Sequence, residues 1–209
     1  MNNTEKKMGD SKKKGDTREK IMKAAAAMFA ERGYHSVTTR EIAKAAEINP
    51  ASIYYHFPSK EDILIKLYEF YTEKRRKEAP DLDKLLRMAE THPPHEVLMQ
   101  TEFHFDGDIR EMLDQIIVTA TREINADPKS EQFIRENIFH SVKSVLMPLL
   151  ERMVELGKIE PFDVETFIRI VSFYGFSSAA LNSSFFRQNV IEYQRGMGFL
   201  FSIIVPTGK

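Results

Sequence analysis

TREKIMKAAAAMFAERGYHSVTTREIAKAAEINPASIYYHFPSKEDILIK, residues 17–66 of 209, is the stretch whose punctuation decides the fold. Ile21, Ala24, Ala25, Met28 and Phe29 recur at three- and four-residue spacing, which predicts an amphipathic helix from 17 to about 32, and Gly33 stops it. Thr38 and Thr39 open a short second helix, whose Ile42, Ala43 and Ala46 form a small apolar underside that lets another helix cross closely. After a turn of three or four residues, Asn49 is a good N-cap and Pro50 suits the first helical position, so 50 to 56 reads as a third helix. Two short helices joined by so tight a turn form a helix-turn-helix, in which the second helix leads into the DNA major groove with its N-terminal residues.

The series Ile21, Ala24, Ala25, Phe29 ending in Gly33-Tyr34, then Thr38-Thr39, Ile42-Ala43 and above all Ser52-Ile53-Tyr54-Tyr55-His56-Phe57, followed by Ser59-Lys60-Glu61 and Leu64, resembles the TetR family of bacterial transcriptional regulators. The resemblance covers roughly a quarter of the chain. It departs from the family habit in the turn, where Glu47 stands in place of Gly; a non-Gly residue is strained there if the backbone needs positive φ. The resemblance implies phosphate contacts from Thr39, Tyr54, Tyr55 and Lys60, with Thr38 beside them. Arg40, Asn49, Ala51, Ser52 and His56 are the side chains expected at base edges, Arg to guanine being the commonest specific contact.

Formal net charge is −1, which hides an asymmetry. Residues 1 to 60 hold 12 Lys and Arg against 7 Asp and Glu, net +5, and the remainder is net −6. A basic head on an acidic body approaches phosphate with one end, since screening limits repulsion from the distant body. There is no Cys, so no disulfide or thiolate chemistry, and a reducing cytoplasm suits the chain. No apolar h-region follows Met1, and the longest late apolar stretch, 197 to 205, falls far short of the ~20 residues a spanning helix needs. The expectation is a cytoplasmic protein with no membrane partner.

The expected organisation is a flexible basic arm (1–16), the helix-turn-helix domain (17–60) and a helical ligand-binding and dimerisation domain (61–209). Lys12, Lys13 and Lys14 in the arm either track phosphate or are merely solvated. Ser59 caps a helix from 60 to 77, with Asp62 three residues on and Ile63, Leu67, Phe70 and Tyr71 as its apolar face. Leu82, Leu85 and Leu86 mark a short helix that the His92-Pro93-Pro94-His95 segment breaks, and 97 to 103 reads as another. Ile109, Leu113, Ile116, Ala120 and Ile124 mark one more. A long helix from 130 to 156 carries Ile134, Ile138, Val142, Leu146, Leu149 and Met153 inward, with a kink expected at Pro148. Gly157 and Pro161 end it. Helices at 163–184 and 189–204 complete an all-α chain of nine or ten helices.

The last two helices carry two apolar stripes: Phe167, Val171, Tyr174, Ser178, Leu181 and Phe185 on one face, and Ile168, Ser172, Gly175, Ala179 and Asn182 on the next. One stripe suits the body's own core. The other, with Val190, Tyr193, Met197, Leu200 and Ile204, suits a second copy in the four-helix dimer interface that the family resemblance implies. Phe103, Phe105, Met112, Phe139, Met147, Phe173, Tyr174 and Phe176 offer an aromatic and thioether lining for a small apolar effector, although such residues at helical spacing are more often plain core. Asn137, Ser141 and Ser144 would orient a ligand's polar group or lie on a solvent face.

Competing chemistry finds little support. No phosphate-binding glycine loop, HExxH or GxSxG occurs, and His92, His95 and His104 lack metal-ligand spacing, so neither cofactor nor metal is expected and no catalytic residue is assigned. The expected function is a homodimeric, ligand-responsive, DNA-binding regulator, a repressor of a palindromic operator released when an effector moves the 60–77 helix. The alternative is a small-molecule-binding or scaffold protein of the same fold that has lost DNA binding.

Overall fold

The computed structural model describes residues 3–101, 107–180 and 190–204, and among these every regular element is helical. The head is α1 (Asn3–Arg32), α2 (Thr39–Ala45) and α3 (Pro50–His56). The body is α4 (Lys60–Lys77), α5 (Leu82–Thr91), α6 (Pro94–Met99), α7 (Gly107–Glu123), α8 (Pro128–Ile134), a π-helical turn (Arg135–His140), α9 (Ser141–Glu155), α10 (Val164–Ala180) and α11 (Val190–Ile204). Taken as one helix, α8, the π turn and α9 bring the number among the described residues to ten.

Local chemistry sets most boundaries where expected. Thr38 caps α2 in a capping box with Glu41, Asn49 caps α3 ahead of Pro50, Ser59 caps α4 through the Asp62 amide, and Asp127 caps α8 ahead of Pro128. Three elements differ. α1 begins at Asn3 rather than Thr17, because the Lys- and Glu-containing segment read as an arm has no proline to stop a helix growing from the ordered part. α6 begins at Pro94, which takes the N1 position that proline tolerates, and ends at Met99 instead of running from Val97 to 103. The 130–156 helix is interrupted at the π turn, while Pro148 stands inside the α-helical α9.

Two hydrophobic cores are built from these helices. The first joins the head's Ile21, Ala25, Phe29, Ile42, Ile53 and Phe57 to Ile63 and Leu67 of α4, Ile116 and Ile117 of α7 and Phe133 of α8. The second gathers Leu85, Leu98, Leu149, Leu150, Met153, Phe167, Ile168, Val171, Met197 and Phe201. The π turn lies where they meet, with Ile138 in the first core and Leu146, two turns on, in the second.

α2 and α9 end in the same motif with different residues. After α2 the amide of Ile48 donates to the Ala43 carbonyl (3.0 Å) and that of Glu47 to Lys44 (3.2 Å). After α9 the amides of Lys158 and Gly157 reach Met153 and Val154 in the same way. Both are Schellman turns, which need a left-handed residue. Gly157 has φ 65° at no steric cost, whereas Glu47 has φ 57° and carries the strain its Cβ imposes. Glu47→Gly should therefore raise the urea midpoint, with a net gain in unfolding free energy of about 0.5–1 kcal/mol once the greater unfolded-chain entropy of Gly is deducted. An unchanged or lower midpoint would show that the turn absorbs the strain elsewhere.

Candidate nucleic-acid interface

α3 is held from beneath and free above. Ile53 and Phe57 are each 1% exposed in the first core, while Ala51, Tyr54 and Tyr55 stand in solvent and Ser52 and His56 are half-buried. Small Ala43 and Ala46 keep α2 close behind it. The Tyr54 hydroxyl lies 3.0 Å from Thr39 Oγ1, so a hydroxyl from each helix is held at the same point. Tyr55 stacks edge-on with the His56 ring at 5.3 Å. Arg40 is exposed on α2 and, with Thr38, Glu41, Lys44, Ile48 and Pro50, lines an open recess of about 400 Å³ beside α3.

Several expected contact residues have structural duties instead. Thr38 Oγ1 donates to Glu41 Oε2 at 2.7 Å and accepts from the Glu41 amide, and Arg32 adds a 2.8 Å bond to the same carboxylate. The Thr38 hydroxyl and amide, then Arg32, hold the Glu41 carboxyl down at about 2. Asn49 Oδ1 accepts from the Ala51 amide at 2.9 Å, so its carbonyl end is committed to the cap.

Lys60 departs most from expectation. Its ammonium donates to the carbonyls of Tyr34 and Val37, both at 2.9 Å, and sits 4.3 Å from the Tyr34 ring centroid. Burial pushes its pKa below the ordinary lysine value, against the opposing charge of Glu123. It is thus a staple from the start of α4 to the turn between α1 and α2, and its charge is turned inward. Lys60→Ala should cost about 2 kcal/mol of stability, in the range of charged hydrogen bonds. It should leave the salt dependence of DNA binding unchanged; a slope lowered by about one per head would return the residue to the phosphate-contacting set.

The body residues expected to line a ligand do not close around one space. Met112 is buried in the first core, Met147 and Tyr174 pack on the second, and Phe139 lies between, 5.1 Å from the Phe173 ring and 6.1 Å from that of Phe176. Asn137 is buried with its Nδ2 on the Phe133 carbonyl, Ser141 bonds the Asn137 carbonyl, and Ser144 is exposed and bonds that of Ser141. Each serves its own helix, as hydroxyls and amides in helix interiors commonly do. Phe103 lies outside the described residues.

Phe167, Val171, Met197 and Ile204, expected at a dimer interface, are instead buried in the subunit's own second core, on which Leu200 also packs. Gly175 is half-buried. α10 is apolar nearly all round, so its inward face spans both expected stripes and the free face is a third one. That face shows Ile170 and Phe173, and α11 exposes Phe199 and Ile203, all at least half exposed. Asn182 lies outside the described residues, as do the side chains of Ser178, Ala179 and Tyr193. Among the described residues no group of three His, Asp or Glu comes together as a metal site, and no helix is long and apolar enough to cross a membrane.

Residues 21–67 match the model of the bacterial regulatory proteins, tetR family. That stretch runs from the second half of α1 through α2 and α3 into α4. It is 31% identical over 109 residues to an uncharacterized HTH-type transcriptional regulator, YerO, of Bacillus subtilis, covering 52% of this chain and 37% of that protein. Over 50 residues it is 48% identical to the HTH-type transcriptional repressor KstR2 of Mycobacterium tuberculosis, covering 24% and 25%. The similarity to such curated relatives spans well under half of their length. In fold, it resembles a tetR-family bacterial regulatory protein from Rhodococcus RHA1, with a TM-score of 0.63 at 19% identity over 92% of this chain and 98% of that one.

Proposed function

We propose that the protein is a non-enzymatic, cytoplasmic repressor that binds a palindromic DNA operator as a homodimer and releases it when a small, largely apolar effector enters the body. The observation that carries the reading is α3, anchored by Ile53 and Phe57 and presenting Ala51, Tyr54 and Tyr55 to solvent beside Arg40. Arg40, Ala51, Ser52 and His56 read base edges in this scheme, while Thr39, Tyr54 and Tyr55 hold phosphates. The second copy docks on the face of Ile170, Phe173, Phe199 and Ile203, an apolar patch unusual for a monomer's outer surface. Two heads then address half-sites about one helical turn apart. The effector is accommodated at the seam of the two cores, around Phe139, Phe176 and the π turn, since π turns are frequent at functional sites.

The test is selection of duplexes from a random library by the purified protein, followed by titration of the winner at several salt concentrations. Enrichment of an inverted repeat, bound with a steep negative salt slope, is the expected result. Arg40→Ala should then relax preference at one position per half-site. A library that returns no enriched duplex even at low salt would overturn the reading.

A further inference from the structure

Glu123 ends α7, where the helix dipole disfavours an anion, and it is 6% exposed, where desolvation does so too. Two costs at one carboxylate call for compensation, and it comes from the head. Oε1 accepts from the Tyr34 amide at 3.2 Å, and Oε2 lies 3.2 Å from the His35 Nε2. The Lys60 ammonium, which grips the other side of the same turn through the Tyr34 and Val37 carbonyls, feels its charge. One residue earlier, Arg122 Nη1 donates to the Glu31 carbonyl at 3.0 Å, in the last turn of α1. The segment between α1 and α2 is therefore held from two sides, by α4 and by the end of α7.

We infer that Glu123 is a positioning residue for DNA binding: through the Tyr34 amide it sets where α2, and with it Arg40 and the Thr39–Tyr54 pair, stands relative to the body. The inference rests on the DNA-binding reading above for its consequence but not for its geometry. It adds a polar connection from α7 to the head, beside the α7 packing in the first core and the grip of Lys60 on α4. A displacement of α7 is then transmitted to the α1–α2 turn through the hydrogen bond that the Tyr34 amide donates to a buried carboxylate, without requiring movement of the 60–77 helix.

The experiment compares the full-length wild type with Glu123→Ala and Glu123→Gln by amide hydrogen exchange and by titration of the duplex selected with the wild type. The carboxamide oxygen of Gln still accepts from the Tyr34 amide, whereas Ala leaves it without that partner. In the Ala variant, exchange at Tyr34 and His35 should accelerate and duplex affinity should fall about tenfold, within the usual range of coupling between sites. The Gln variant should restore both. A carboxylate that merely stabilises the fold would lower the melting temperature and leave the affinity of the folded protein unchanged, so a folded Ala variant with wild-type affinity overturns the inference. If the wild type binds no duplex, the regulatory reading fails, and the exchange measurement decides alone: unchanged protection of the turn in both variants overturns the positioning role.

Discussion

Replacing Phe199 and Ile203 together by Asp should yield a folded monomer whose affinity for its operator is reduced by about 100-fold or more. The two side chains are 67% and 61% exposed, so their loss removes little from the subunit's own core. Ile170 and Phe173 are the exposed apolar residues of the neighbouring helix α10. Buried aspartates facing each other across a two-fold axis repel and lose their hydration, which an apolar interface cannot repay. A palindromic site rewards the dimer because the second head binds at high effective concentration once the first is placed, an advantage of 10²- to 10⁴-fold with no new contact. Sedimentation velocity gives the oligomeric state, melting confirms the fold, and duplex titration gives the affinity. A variant that sediments as the wild type does would place the interface elsewhere.

The second large effect is expected at Phe133. Its ring stacks on Tyr68 with centroids 4.3 Å apart at 13°, and meets Tyr71 edge-on at 5.1 Å, so α8 is clamped to α4 by three aromatic rings. Beside them the buried Tyr68 hydroxyl is 2.7 Å from Ser130 Oγ, which in turn donates to Asp127 at 2.8 Å. Burial pushes the Tyr68 phenol above its ordinary range, keeping it a neutral hydrogen-bond partner. Phe133→Ala should cost about 3 to 5 kcal/mol, the transfer of the ring plus the cavity left between two tyrosines that backbone on both sides prevents from collapsing. Chemical denaturation measures it. A loss below about 1 kcal/mol would mean that α4 and α8 close over the gap.

Features with a local cause were legible in the sequence. Thr38, Asn49-Pro50 and Ser59 sit where their side chains cap the amides two or three residues ahead, so the starts of α2, α3 and α4 follow from neighbours in the chain. The strain at Glu47 was readable for the same reason, because a turn closing a short helix needs a left-handed residue whatever surrounds it. Lys60 shows where such reading stops. A lysine at a helix N-terminus looks like a phosphate anchor, but its partners, Tyr34 and Val37, are 26 and 23 positions away and only the folded head brings them within reach. Glu123 is a more distant case, since its hydrogen bond to Tyr34 spans 89 positions. The stripe on α10 failed differently: with apolar residues on nearly every side, periodicity cannot say which face turns inward, and Phe167 and Val171 proved to be core. The π turn has no signature in residue type at all, since Arg135 to His140 would serve equally well in an α-helix.

The continuity of the first core across head and body bears on where the chain can be cut and rejoined. Ile63, Leu67, Ile116, Ile117 and Phe133 form one packed mass with Phe29, Ile42 and Ile53, so the reading head is not a bead on a string. A chimera joined at residue 60 would expose the undersides of α4, α7 and α8 and offer the transplanted head a foreign surface. The chain crosses between the two cores more than once, leaving the first for α5 and α6, returning to it with α7 and α8, and leaving it again at the π turn. A block that carried its own foundation would take α1 to α4 with α7, α8 and Ile138, and would leave α5 and α6, with Leu85 and Leu98, to the other half.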